Sequence, residues 1–270
     1  MHLFQGFGYF AAAAGIILNV PGMAAHPAGH TTDPLSAISR RDAQDFYLRV
    51  MPLGASITEG VASSDKNGYR KWLRSQLRWK GWKVNMVGSK HNGDMKDDDN
   101  EGHPGWIVDQ VYDEWKKHKG FHPNLVLINA GTNDCGGDVD PGNAGNRLKV
   151  MVDDIFASVP GVTVIVSTLS KSRDHDACAL DVSQQYRDLV ASYTDARIGL
   201  ADIDSVMTKD QLSSDGVHPN DEGYKLFAAV WWDAISKLED QIQPPDDTQD
   251  DGAAQDDGPI SDPGLPPYES

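Results

Sequence analysis

Three shortages narrow what this chain can be. Of its 270 residues only two are cysteines, Cys135 and Cys178, and their spacing fits no zinc-binding pattern. Cations are in deficit, with 24 Lys and Arg against 40 Asp and Glu, a formal charge of −16, and no basic stripe gathers anywhere. Without such a stripe neither nucleic acid nor an anionic membrane surface is expected as a partner. Long apolar runs are missing as well. The one apolar stretch, Phe7 to Val20, is short and broken by Gly15, Asn19 and Pro21. With the small residues Gly22 and Ala24 behind it, residues 1–25 read as a signal peptide, although Lys and Arg are lacking near the start; a buried or membrane-anchored helix is the alternative.

The ends of the chain differ from its middle. Residues 26–45 are polar and read as a linker or propeptide, with Arg40-Arg41 as a dibasic pair that would suit a processing protease. Residues 243–270 hold seven Asp, one Glu and no Lys or Arg among many Pro, Gly and Gln, so half of the net charge sits in a tail with too little apolar surface to order itself. The tail is expected to be disordered. What remains, 46–242, is one domain. In a secreted protein Cys135 and Cys178 are most simply a disulfide between two loops that each follow a predicted strand; in a cytosolic one they would be free thiols.

Within the domain, apolar runs of strand length alternate with helical patterns. Phe46 to Met51, Trp82 to Gly88, Asn124 to Ala130, Val162 to Val166 and Arg197 to Ala201 read as strands, and the third is apolar almost throughout, as a strand covered on both faces must be. Helices are predicted over Tyr69–Lys80, with basic residues on the face opposite Tyr69, Trp72, Leu73 and Leu77, and over 106–118, 148–159, 182–193 and 222–238. The fold class is therefore α/β, a doubly wound sheet of about five parallel strands between helical layers. No internal repeat is present. The acidic run Asp94 to Glu101 lacks EF-hand spacing and reads as a solvated loop.

A parallel sheet gathers the loops after its strands along one edge, where ligands bind. Three such loops carry chemistry. Gly54-Ala55-Ser56-Ile57-Thr58 follows the first strand and holds a serine hydroxyl, a poor nucleophile until a base takes its proton. Gly131-Thr132-Asn133-Asp134 follows the central strand, where the Asn133 carboxamide can donate to an oxyanion. Asp215-Gly216-Val217-His218-Pro219 follows the last strand and offers His218 as base, with Asp215 three residues earlier to fix its tautomer. Asp134 and Asp174 are alternative carboxylates. Each motif alone could be an ordinary polar turn; together, at strand ends of one sheet, they describe acyl transfer.

These blocks, with Glu101-Gly102-His103-Pro104-Gly105-Trp106, resemble the SGNH (GDSL-type) hydrolases over roughly Tyr47 to Leu238. The resemblance implies a flavodoxin-like three-layer fold and serine esterase chemistry with no cofactor and no metal. Carried over by position, Ser56 is the nucleophile, His218 the general base and acid, and Asp215 its orienting carboxylate. The oxyanion hole would be Ser56 N–H, Asn133 and a glycine, either Gly105 or Gly88. Gly105 is preferred because it precedes a predicted helix start. Ala55 stands where the family commonly has Asp. The Glu-Gly-His-Pro-Gly-Trp block, Gly68-Tyr69-Arg70 and Val87-Gly88-Ser89 are similar to carbohydrate esterase family three, which implies removal of acetyl groups from a plant cell-wall polysaccharide such as acetylated xylan. His103 and Trp106 are then candidate substrate contacts. A secreted monomer acting on acetylated polysaccharide or oligosaccharide is expected. A short-chain lipase or general esterase of the same family, and a carbohydrate-binding protein without turnover, are the alternatives.

Overall fold

The computed structural model describes residues 46–194, 197–246 and 258–268. The expected signal peptide and linker lie outside the described residues. In chain order the elements are β1 (Tyr47–Gly54), α1 (Ser56–Glu59), α2 (Tyr69–Trp79), β2 (Lys83–Met86), β3 (Lys90–His91), β4 (Asp99–Gly102) and α3 (Val108–His118). They continue with β5 (Leu125–Asn129), α4 (Thr132–Gly137), α5 (Ala144–Ser158), β6 (Thr163–Ser167), α6 (Asp176–Ala191), β7 (Ile198–Ala201) and α7 (Asp221–Leu238).

The strands β1, β5, β6 and β7 lie side by side and parallel. The other flank of β1 is shared: β2 pairs with its first half, Tyr47 to Val50, and β4 with its last two residues, Leu53 and Gly54. Five parallel positions result, and at the sixth, beside β4, the two-residue β3 is the one strand among the described residues that runs antiparallel. The shared flank explains a proline in a central strand. Val50 O accepts from Val87 N–H on that side and Gly54 O from His103 N–H, so Pro52 faces the same side in the gap between β2 and β4. Its missing N–H costs no ladder bond there.

Strand alternation divides the core into two. On one face Leu48, Val50, Leu125 and Leu127 pack with Tyr69, Leu73 and Leu77 of α2 and Phe227 and Trp231 of α7. On the other, Met51, Leu53, Val126 and Ile128 pack with Val111 and Trp115 of α3 and with α5 and α6. This is the three-layer doubly wound architecture. Among the described residues no helix is long and apolar enough to cross a membrane.

Of the basic residues of α2, Arg70 is wholly buried and Arg74 is 3% exposed. Two readings need correction. The acidic run is not a solvated loop: Asp97, Asn100 and Glu101 are buried, and Asn100 and Glu101 lie in β4. Arg74 Nε donates to Asp97 at 2.6 Å, and Met86 N–H donates to the same carboxylate. Polar strands of this kind are built on partners rather than on apolar alternation, so the pattern hides them. Finally, the tail is not uniformly without structure. Residues 258–268 run over the α2 and α7 side, with Leu265 and Tyr268 packed on that core and Arg78 donating to Gly258 O. The acidic average of the tail conceals these two anchors.

Candidate active site

Ser56 is the first residue of α1, immediately past the end of β1. The turn that presents it needs Gly54, since a Cβ there would lie 2.2 Å from Asn129 O and 2.5 Å from Thr58 Oγ1. Ala55 occupies the N-cap of α1 without a side-chain cap, so the backbone behind Ser56 is held from elsewhere. Arg70 does this. Its guanidinium donates to Thr58 O, Glu59 O, Lys66 O, Asn92 O and Asp98 O, tying the segment after Ser56 to the α2 start and to the run before β4. A buried charge is tolerable only with such partners, and nothing in the spacing of α2 distinguishes Arg70 from a solvated arginine.

His218 lies between β7 and α7. Its Nε2 is 2.8 Å from Ser56 Oγ, and its Nδ1 is 2.8 Å from Asp215 Oδ2. With Nδ1–H donating to the carboxylate, Nε2 is left as the acceptor for the serine O–H. Asp215 Oδ1 accepts from Val217 N–H at 2.9 Å and His218 N–H at 3.0 Å, so the three-residue spacing closes a small turn. Burial works to raise the Asp215 pKa, but those two N–H groups and the His218 ring outweigh it and hold the carboxyl well below the usual range. The loop is fastened by Ser213 N–H to His218 O, and by Arg173 N–H to Gly216 O.

Asn133 is the second residue of α4. Its Nδ2 donates to Trp106 O at 2.8 Å, which leaves its second amide hydrogen for another acceptor. Gly105 sits in a turn closed by Trp106 N–H to His103 O, with φ of +82°. The helix after it begins only at Val108, so the expected placement of Gly105 at a helix start does not hold; the Asn133 contact fixes the turn instead. Gly88, the alternative, lies between β2 and β3 with its Cα packed against the Asn100 backbone.

The remaining expectations divide. His103 is 8% exposed, stacked on Trp106 with ring centroids 4.1 Å apart, and its Nε2 lies 2.9 Å from Glu101 Oε2. It supports Trp106 from beneath rather than offering an open contact, and Trp106 is the half-buried member of the pair. Asp134 is fully buried, taken by Arg147 at 2.7 Å and by Val108 N–H, while Asp174 is exposed. Asp215 is the carboxylate that faces His218. Cys135 and Cys178 form a disulfide that joins α4 to the start of α6.

Among the described residues two groups of His and acidic side chains have ligand atoms within 4.8 Å of one another, His91 with Asp98 and Asp99, and Glu101 with His103 and Glu114. The second group is buried. Glu101 accepts from the Ser89 backbone and hydroxyl as well as pairing with His103, and Glu114 pairs with Lys117 at 2.7 Å.

A serine, histidine and carboxylate in hydrogen-bonded series beside an amide donor can carry out acyl transfer. Comparison with known proteins gives the same direction. The family model described as the GDSL-like lipase/acylhydrolase family matches residues 53–226. The chain belongs to that family. GDSL-like members are carboxylic ester hydrolases, and the match takes in Ser56, Asn133, Asp215 and His218 alike. A multidomain esterase of Ruminococcus flavefaciens is 29% identical over 265 residues, which cover 83% of this chain and 34% of that protein. The chain thus spans about a third of the length of this relative. Among solved structures, a Clostridium thermocellum family 3 carbohydrate esterase shares the fold, with a TM-score of 0.66 at 24% identity over 73% of this chain and all of that one. A family 3 carbohydrate esterase of Talaromyces cellulolyticus has a TM-score of 0.63 at 26% identity, and so does an acetyl esterase serine mutant solved with an acetate ion; each is covered completely by 73% of this chain.

Proposed function

We propose that the GDSL-like domain is a secreted serine acetylesterase that removes acetyl groups from a plant cell-wall polysaccharide such as acetylated xylan. The observation that carries this reading is the series Ser56 Oγ to His218 Nε2 to Asp215, with both links at 2.8 Å. Ser56 Oγ bonds to the acetyl carbonyl carbon as His218 Nε2 takes its proton. Asp215 steadies the imidazolium so formed. The carbonyl oxygen becomes an oxyanion that accepts from Ser56 N–H, Gly105 N–H and Asn133, each donor contributing about 3 kcal/mol to the transition state. Collapse breaks the bond to the sugar oxygen, which receives the proton from His218. Water then attacks the acetyl-enzyme, His218 takes its proton, and acetate leaves with Ser56 restored.

The acetyl group is favoured by the acetate bound to the similar acetyl esterase, and a carbohydrate alcohol by the two family 3 carbohydrate esterases. Trp106, stacked on His103 and partly exposed, offers a ring face suited to sugar C–H groups. The disulfide suits an oxidising compartment. The test compares nitrophenyl acetate with nitrophenyl octanoate, and both with acetate release from acetylated xylan. A preference for acetate and release from xylan are expected. Preference for octanoate would replace the reading with a lipase, and no ester turnover at all would leave a carbohydrate-binding protein.

A further inference from the structure

Beside Asn133 the surface opens into a pocket of about 140 Å³. Its lining runs from Asn133 across Leu169, Ser170 and Ala179 to Val217, with His175 also contributing. The volume is roughly that of four or five waters, so it accommodates one small group and not a length of polymer or a long acyl chain. Two features mark it as a built site. Ser170 is 3% exposed, yet its hydroxyl has no hydrogen-bond partner among the described residues. Leaving a buried hydroxyl unpaired is unfavourable, and a ligand hydroxyl would remove that cost. The second feature is position. Val217 precedes His218, which must reach the departing alcohol oxygen to protonate it, so this rim of the pocket adjoins the alcohol half of the ester.

We infer that the pocket binds a hydroxyl-bearing part of the alcohol, one sugar hydroxyl or hydroxymethyl group next to the acetylated position, with Ser170 Oγ as its hydrogen-bond partner. The inference rests on the acetylesterase reading above. Leu169 and Ala179 supply the apolar wall that a sugar's C–H face requires, and exposed His175 adds a second polar group. An acyl pocket would have no use for a buried free hydroxyl.

The experiment measures kcat/KM on acetylated xylobiose and on nitrophenyl acetate, with wild type, Ser170→Ala and Ser170→Met. The ratio of sugar ester to nitrophenyl acetate should fall about tenfold in Ser170→Ala, a difference of about 1.4 kcal/mol, and further in Ser170→Met, whose longer side chain fills the pocket. Thermal melting checks that both variants fold. An unchanged ratio in both folded variants would overturn the inference while leaving the acetylesterase reading intact. A Ser170→Met protein that loses nitrophenyl butyrate turnover relative to nitrophenyl acetate would assign the pocket to the acyl group, again overturning it. Failure of wild type to cleave any acetylated sugar would remove the reading itself, and the inference with it.

Discussion

Asn133 Nδ2 donates to Trp106 O at 2.8 Å, so the side chain that follows the central strand holds the turn containing Gly105. One residue therefore serves the proposed oxyanion hole twice, as donor and as brace. Asn133→Ala should lower kcat by a hundredfold or more, in the range for loss of a single oxyanion donor, with a smaller effect on KM. Steady-state kinetics on nitrophenyl acetate checks this; an equal rise in KM with kcat unchanged would place Asn133 in ground-state binding instead.

Asp215 gives a pH signature. Its carboxyl is held well below the usual range in the folded protein, so its contribution to stability is fully present above the ordinary carboxylate pKa of about 4. That contribution is lost as pH falls from there through the lower folded value. The stability difference between wild type and Asp215→Asn should hold steady from pH 7 to 5 and shrink below about pH 4. Urea unfolding across that range measures it.

Arg74 and Asp97 are both buried, and their 2.6 Å contact joins α2 to the run before β4, beside the Arg70 bond to Asp98 O. Removing Asp97 takes the 2.6 Å ion pair away from the buried Arg74 guanidinium. Asp97→Ala should cost about 3–5 kcal/mol in urea unfolding, a loss that a solvated acidic loop would not produce.

The disulfide closes a separation of 43 residues, for which the chain-entropy relation gives about 4 kcal/mol. The double variant Cys135→Ala, Cys178→Ala should lose stability of that order. Because Cys135 lies two residues from Asn133, esterase kcat should fall as well, which parallel activity measurements would detect.

What the sequence made legible follows from how each residue earns its place. The strands β1, β5 and β6 are buried on both faces, so apolar content alone reveals them, and the residues at their ends, Ser56 and Asn133, come with them. Asp215 and His218 are legible because three residues is the spacing that lets an aspartate turn back on a histidine ring. Arg70, Asp97 and Glu101 were not. Each is buried through polar partners far along the chain, Asn92, Arg74 and Ser89 among them, and local pattern records no such pairing. The pairing of His103 with Glu101 beneath Trp106 is hidden for the same reason.

The most direct measurement is acetate release from acetylated xylan by wild type and Ser56→Ala, with folding of both confirmed by melting. Steady release by wild type and a loss of at least about a thousandfold in the variant are expected, as removal of a triad member entails. Release that continues in folded Ser56→Ala at a rate near wild type would contradict the serine mechanism outright.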